Sequence, residues 1–60
     1  MTNIERCNII LTSLIGESLI EKWWDSPNKA FQMMTPKEQW NIDQKIVMSY
    51  LYGQLNGDYH

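Results

Sequence analysis

The chain holds one cysteine and one histidine, and these are the side chains from which nucleophilic or acid–base chemistry would have to be built. Cys7 has Arg6 as its only basic neighbour. A reactive thiolate needs an electropositive setting to lower its pKa, and Cys7 falls among apolar residues, as a small hydrophobe would. His60 is terminal and stands alone. The acids Glu17, Glu21, Asp25, Glu38 and Asp43 read most simply as solvated faces and helix caps. A working carboxylate pair needs a pocket that moves one pKa away from the other, and sixty residues have little material for one. No histidine or cysteine cluster has the spacing of a metal site. The expectation is therefore a chain without catalysis, cofactor or metal.

The remaining chemistry is that of contact. Trp23, Trp24, Phe31 and Trp40 are crowded into one stretch, WWDSPNKAFQMMTPKEQW, which also holds both prolines. Aromatic side chains supply large contact areas and are enriched among the residues that dominate binding energy. Neighbouring positions on a helix point about 100° apart, so Trp23 and Trp24 cannot be equal core residues. Trp23 is expected in the core. Trp24 is expected either as a second core contact or as an exposed anchor, and Trp40 as core at the edge of a contact surface. Met33 and Met34 offer either an adaptable surface or a gap filler. Tyr50 belongs to an apolar stripe. Tyr52 lies off that stripe and is the better interface candidate, and the tail with Tyr59 and His60 is a second one.

These side chains must be positioned by helices. Thr2-x-x-Glu5 is a capping box. Behind it Ile4, Cys7, Leu11, Leu14 and Ile15 recur at helical steps, widened by Ile9 and Ile10. Gly16 ends or bends that helix. Leu19, Ile20, Trp23 and Trp24 form a second stripe over residues 17–25. Asp25-Ser26-Pro27-Asn28 stops it, since proline disfavours helical geometry at the residue before it. Residues 29–34 read as a loop or at most one helical turn. Thr35-Pro36-Lys37-Glu38 is a second capping box with proline at the first helical position. It opens a short helix to about Trp40, which either continues through residues 41–43 or restarts there with Asn41 as a cap. Ile46, Val47, Tyr50, Leu51 and Leu55 form the last stripe, closed by Asn56-Gly57. The expected fold is all-α: a single small domain over residues 1–60, a bundle of three to four short helices. Its expected core is Leu11, Leu14, Leu19, Ile20, Trp23, Phe31, Trp40, Val47, Tyr50 and Leu51.

Composition narrows the partners. The net charge is −2 and the five Lys/Arg are scattered, which speaks against phosphate binding and hence nucleic acid. No apolar run approaches the roughly 20 residues of a membrane span, and the N-terminus lacks the features of a signal peptide. A lone thiol fits the reducing cytoplasm. A core of this size supplies roughly 3–5 kcal/mol, and small domains usually add a disulfide, a metal or a partner. With one cysteine and no metal site, the addition expected here is a protein partner, either another protein or a second copy in a homodimer.

The central stretch resembles the toxin-binding domain of the Xre/MbcA/ParS antitoxin family. Trp23, Pro27, Asn28, Ala30, Phe31, Thr35, Pro36 and Glu38 match its signature without a gap, eight positions over sixteen residues. Val47, Leu51, Leu55 and Gly57 are similar to its last helix, so the resemblance spans about residues 17–57. Gln32-Met33 departs from the glycine pair usual in that turn; if the turn needs positive φ, both residues are strained there or the loop is rebuilt. The helix-turn-helix of fuller family members is not expected in this chain, and DNA binding is not carried over. The resemblance implies a non-catalytic module that binds and occludes a partner protein, a RES-type NAD-consuming toxin or another host enzyme. Trp24, Phe31, Met34, Trp40, Tyr52, Tyr59 and His60 are its candidate contact or surface-shaping residues. Short stand-alone versions look like small phage-encoded proteins, and the alternative is a structural homo-oligomer, a phage component with no toxin partner. Stacking of nucleic-acid bases on the tryptophans is a weaker third reading.

Overall fold

The computed structural model describes residues 1–57. Four α-helices and two single 3-10 turns make up its regular structure, and no strand occurs among the described residues. The fold is a small all-α bundle.

Helix α1 (Asn3–Ile15) begins at the expected capping box. The Glu5 amide donates to Thr2 Oγ1 at 3.2 Å, and the Thr2 amide donates to Glu5 Oε1 at 2.9 Å. Two backbone donors that a helix start leaves unpaired are thereby satisfied. Gly16 ends the helix at φ 87°, ψ 153°, a conformation that favours glycine. A 3-10 turn (Glu17–Leu19) leads into α2 (Ile20–Asp25), which stops at Ser26 before Pro27. A second 3-10 turn (Lys29–Phe31) forms the bottom of the elbow, the segment that joins α2 to the next helix. Helix α3 (Pro36–Ile42) starts at the Thr35/Glu38 box with Pro36 in its first turn. Helix α4 (Gln44–Leu55) is capped by Asp43, whose Oδ1 accepts from the Lys45 amide at 3.0 Å. The break between α3 and α4 therefore lies at Asp43, two residues beyond the Asn41 cap considered from sequence. α4 ends at Asn56-Gly57, with Gly57 at φ 66°.

Helix α4 packs against both α1 and α3, and α2 bridges α1 to α3. The core is Cys7, Ile10 and Leu11 from α1, Trp24 from α2, Phe31 from the elbow, and Val47 and Leu51 from α4. Ile20, Trp23, Met34, Trp40 and Tyr50 are half-buried against it.

Two expected core residues are not core. Leu14 is 39% exposed and Leu19 is 49% exposed. Leu14 sits in the last turn of α1, where its neighbour Ile15 packs against the core instead. Leu19 has a different cause. It belongs to the 3-10 turn that precedes α2 rather than to the helix expected over 17–25. The inward line of α2 is Ile20–Trp24, four residues apart, with Trp23 packed beside it and Leu19 exposed. The two tryptophans exchange their expected ranks: Trp24 is 8% exposed, and Trp23 is the half-buried one.

Candidate protein-interaction surface

The aromatic side chains form one chain of edge-to-face contacts. Trp40 meets Trp24 at 5.6 Å between centroids, Trp24 meets Trp23 at 5.1 Å, Trp23 meets Phe31 at 6.3 Å, and Phe31 meets Tyr50 at 5.3 Å. Such pairs contribute about 0.5–1.5 kcal/mol each beyond the area they bury. Trp24 Nε1–H donates to Asn8 Oδ1 at 2.8 Å, which ties α2 to α1 and satisfies the one polar atom of a buried indole.

The elbow is closed by its own backbone. The Asn28 carbonyl accepts from the amides of Phe31 and Met33, both at 2.9 Å, and the Asn28 amide donates to the Met34 carbonyl at 3.0 Å. Asn28 Oδ1 accepts from the Ala30 amide at 2.9 Å, a local side-chain turn. The loop keeps positive φ at Gln32 (56°) and Met33 (68°), so two side-chain-bearing residues occupy left-handed backbone in succession.

Three shallow hollows mark the surface. The first, about 260 Å³, lies between α1, α2 and α3 and is lined by Ile4, Asn8, Trp24, Trp40, Glu21, Asp25 and Lys37. Lys37 Nζ pairs with Asp25 there at 2.8 Å. The hydrogen bond to Asp25 holds the Lys37 ammonium above its usual pKa, so it stays charged. Both partners are exposed, and such pairs add little stability. The second hollow, about 340 Å³, is bounded by Met1, Arg6, Ile9, Ile10 and Tyr52. The third, about 290 Å³, is bounded by Ile15, Leu19, Lys22, Trp23 and Ser26.

The candidate contact residues fall in different places. Trp24 and Phe31 are core, so they shape the surface from beneath and present little of it. Met34 is half-buried against the core, and Trp40 is half-buried at the first hollow. Tyr52 is exposed at the second hollow, on another side of α1 from Trp40. Tyr59 and His60 lie outside the described residues. Of the motif positions, Pro27 and Ala30 are exposed at the turn, Asn28 organises the loop, and Thr35, Pro36 and Glu38 open α3.

Sequence reasoning missed four contributors. Trp23, with Leu19, offers apolar surface that was assigned to the core. Gln39 joins Pro36 among the buried residues of α3. Asn8 holds the indole of Trp24, and a signal for it existed: it lies four residues after Ile4 and three before Leu11, a polar group on the flank of an apolar stripe.

Three further titratable groups are displaced from their usual pKa values. Burial pushes the Cys7 thiol up, away from the thiolate form. Backbone hydrogen bonding to Thr2 holds the Glu5 carboxylate below its usual pKa, and the same bond to Thr35 does so for Glu38. Among the described residues, no group of three His, Cys, Asp or Glu is placed to hold a metal, and no helix is long and apolar enough to cross a membrane. Comparison of the chain with protein-family models, with curated proteins and with solved structures finds no match in any of the three.

Proposed function

We propose that this chain is a non-catalytic protein-binding module that acts by covering part of a partner protein, in the manner of the toxin-binding domain of antitoxins. The partner is an enzyme, a RES-type NAD-consuming toxin or another host enzyme, met in the reducing cytoplasm. The supporting observation is the distribution of large apolar side chains. Ten are exposed among the described residues, Met1, Ile9, Leu19, Met33 and Tyr52 among them, against seven in the core. Single exposed apolar residues are ordinary, but here Met1, Ile4, Ile9, Leu19 and Tyr52 line the hollows between helices. A domain with so small a core gains stability from whatever covers that surface. Occlusion involves no bond making, so the elbow has only to keep its shape.

A second reading has its own support. Met1, Ile9 and Tyr52 ring one hollow between α1 and α4, a patch that a second copy of the chain could cover. One experiment separates the two. The tagged full chain is expressed at low level in its source cell, co-purifying proteins are identified, and the purified chain is examined by sedimentation with and without them. The proposal expects a stoichiometric complex with an enzyme whose activity falls on binding. A tight homodimer indifferent to any added protein establishes the structural homo-oligomer instead.

A further inference from the structure

We propose that the Gln32-Met33 turn is a contact device that holds the Met33 side chain out for insertion into an apolar slot with an acidic rim on the partner protein. This rests on the protein-binding reading above and adds to it the segment used and the chemistry of the surface it meets.

Four described residues have positive φ: Gly16, Gln32, Met33 and Gly57. At two of them the chain uses glycine, which adopts this backbone without a Cβ clash. At the other two, which are consecutive, it uses glutamine and methionine. Left-handed backbone crowds the Cβ of an L-residue against the neighbouring carbonyl. Glycine at either position would relieve that strain, and nothing inside the fold asks for the side chains. Both are exposed, Met33 at 59%, and neither side chain makes a hydrogen bond among the described residues. Strain kept at an exposed position that the core does not use points to a use outside the fold.

The backbone around the pair is fixed. The Met33 amide is held by the Asn28 carbonyl, the Gln32 amide by the Lys29 carbonyl at 3.2 Å, and Met34 is half-buried next to it. A side chain presented from a fixed backbone loses less freedom on binding than one on a loose loop. Methionine is unbranched and polarisable and suits an irregular apolar slot. Lys29 is the only ionised side chain in residues 28–34, is exposed, and makes no ion pair among the described residues. A carboxylate at the rim of the slot complements it.

The test uses the full chain with photo-methionine in place of methionine, irradiated in the source cell, with adducts mapped by mass spectrometry. The recovered partner is then titrated with the unlabelled chain and with Met33→Gly and Met33→Ala. The proposal expects an adduct at Met33 and a loss of affinity of about tenfold or more in both variants. It also expects a melting temperature raised by roughly 4 °C in Met33→Gly, where strain is relieved, and not in Met33→Ala, where it is kept. An adduct confined to Met1, or full affinity in Met33→Ala, overturns the inference and leaves the protein-binding reading standing. A Met33→Gly variant that melts no higher also overturns it, by removing the strain. The absence of any protein adduct together with any co-purifying protein removes the protein-binding reading, and this inference with it.

Discussion

The contact of α1 with α4 and the elbow between α2 and α3 are held by different forces. Where α1 meets α4, the buried groups are Cys7, Ile10, Leu11, Val47 and Leu51, small and branched side chains with no polar atom beyond one thiol. Around the elbow, rings set edge to face dominate beside Met34; Asn28 ties the loop and Asn8 of α1 ties Trp24. The aliphatic contact depends on filled volume. The elbow depends on angles, and its geometry is fixed by hydrogen bonds as much as by burial. Stability and shape are thus assigned to different ends of one small fold, and the shape-bearing end is the one with strained backbone and an exposed methionine.

Three measurements would break or sharpen this division. The largest effect is expected from Leu51→Ala, at a fully buried position of α4. Such a truncation removes about 2–5 kcal/mol, comparable to the whole stability of a domain this size. Circular dichroism at 25 °C should show the cooperative thermal transition lost or nearly so; a sharp melt close to that of the parent chain would mean that the elbow carries the fold. Next is Asn8→Ala, which strands the Trp24 indole N–H in a largely buried place. About 1–2 kcal/mol should be lost in urea unfolding, with a changed near-ultraviolet signal from the tryptophans, and no change in either would leave packing alone as the elbow's support.

The smallest effect is acid sensitivity. The folded-state pKa values of Glu5 and Glu38 are lowered, chiefly by backbone hydrogen bonds to Thr2 and Thr35. Their contribution to stability is therefore fully present above the unfolded glutamate value, about pH 4.3. It drains away as the pH falls through the lower folded values. Glu5→Gln tests the α1 box and Glu38→Gln the elbow box. Each should flatten the acid limb of a stability profile slightly, because glutamine can still cap but does not titrate. An unchanged acid limb in both would assign acid unfolding to other groups.

Much of this was legible beforehand, and the residues show why. Thr2/Glu5 and Thr35-Pro36-Glu38 act through neighbours three residues apart, so their geometry is written locally. The Pro27-Asn28 stop and the Asn56-Gly57 end are equally local. What was not legible is phase. The apolar positions 19, 20, 23 and 24 admit two inward lines on a helix, 19–23 or 20–24. The choice is made by packing on α1, where Trp24 is buried and bonded to Asn8 while Leu19 stays exposed. The same limit explains the candidate contact set. Exposure of Trp23 against Trp24 depends on that phase, and whether Trp40 and Tyr52 share a surface depends on how α1 separates them. The strain at Gln32-Met33 was foreseeable only as a condition on φ, and the structure meets that condition.

Cys7 has a further consequence. It is the chain's one thiol, fully enclosed where α1 faces α4, and burial pushes its pKa up. An alkylating reagent cannot reach it while those helices stay together, so modification reports the separation of α1 from α4. The protein carries its own stopwatch: with reagent fast enough to outpace reclosing, the pace of labelling counts separations of its first and last helices, and whatever binds the surface and steadies the bundle will slow the hand.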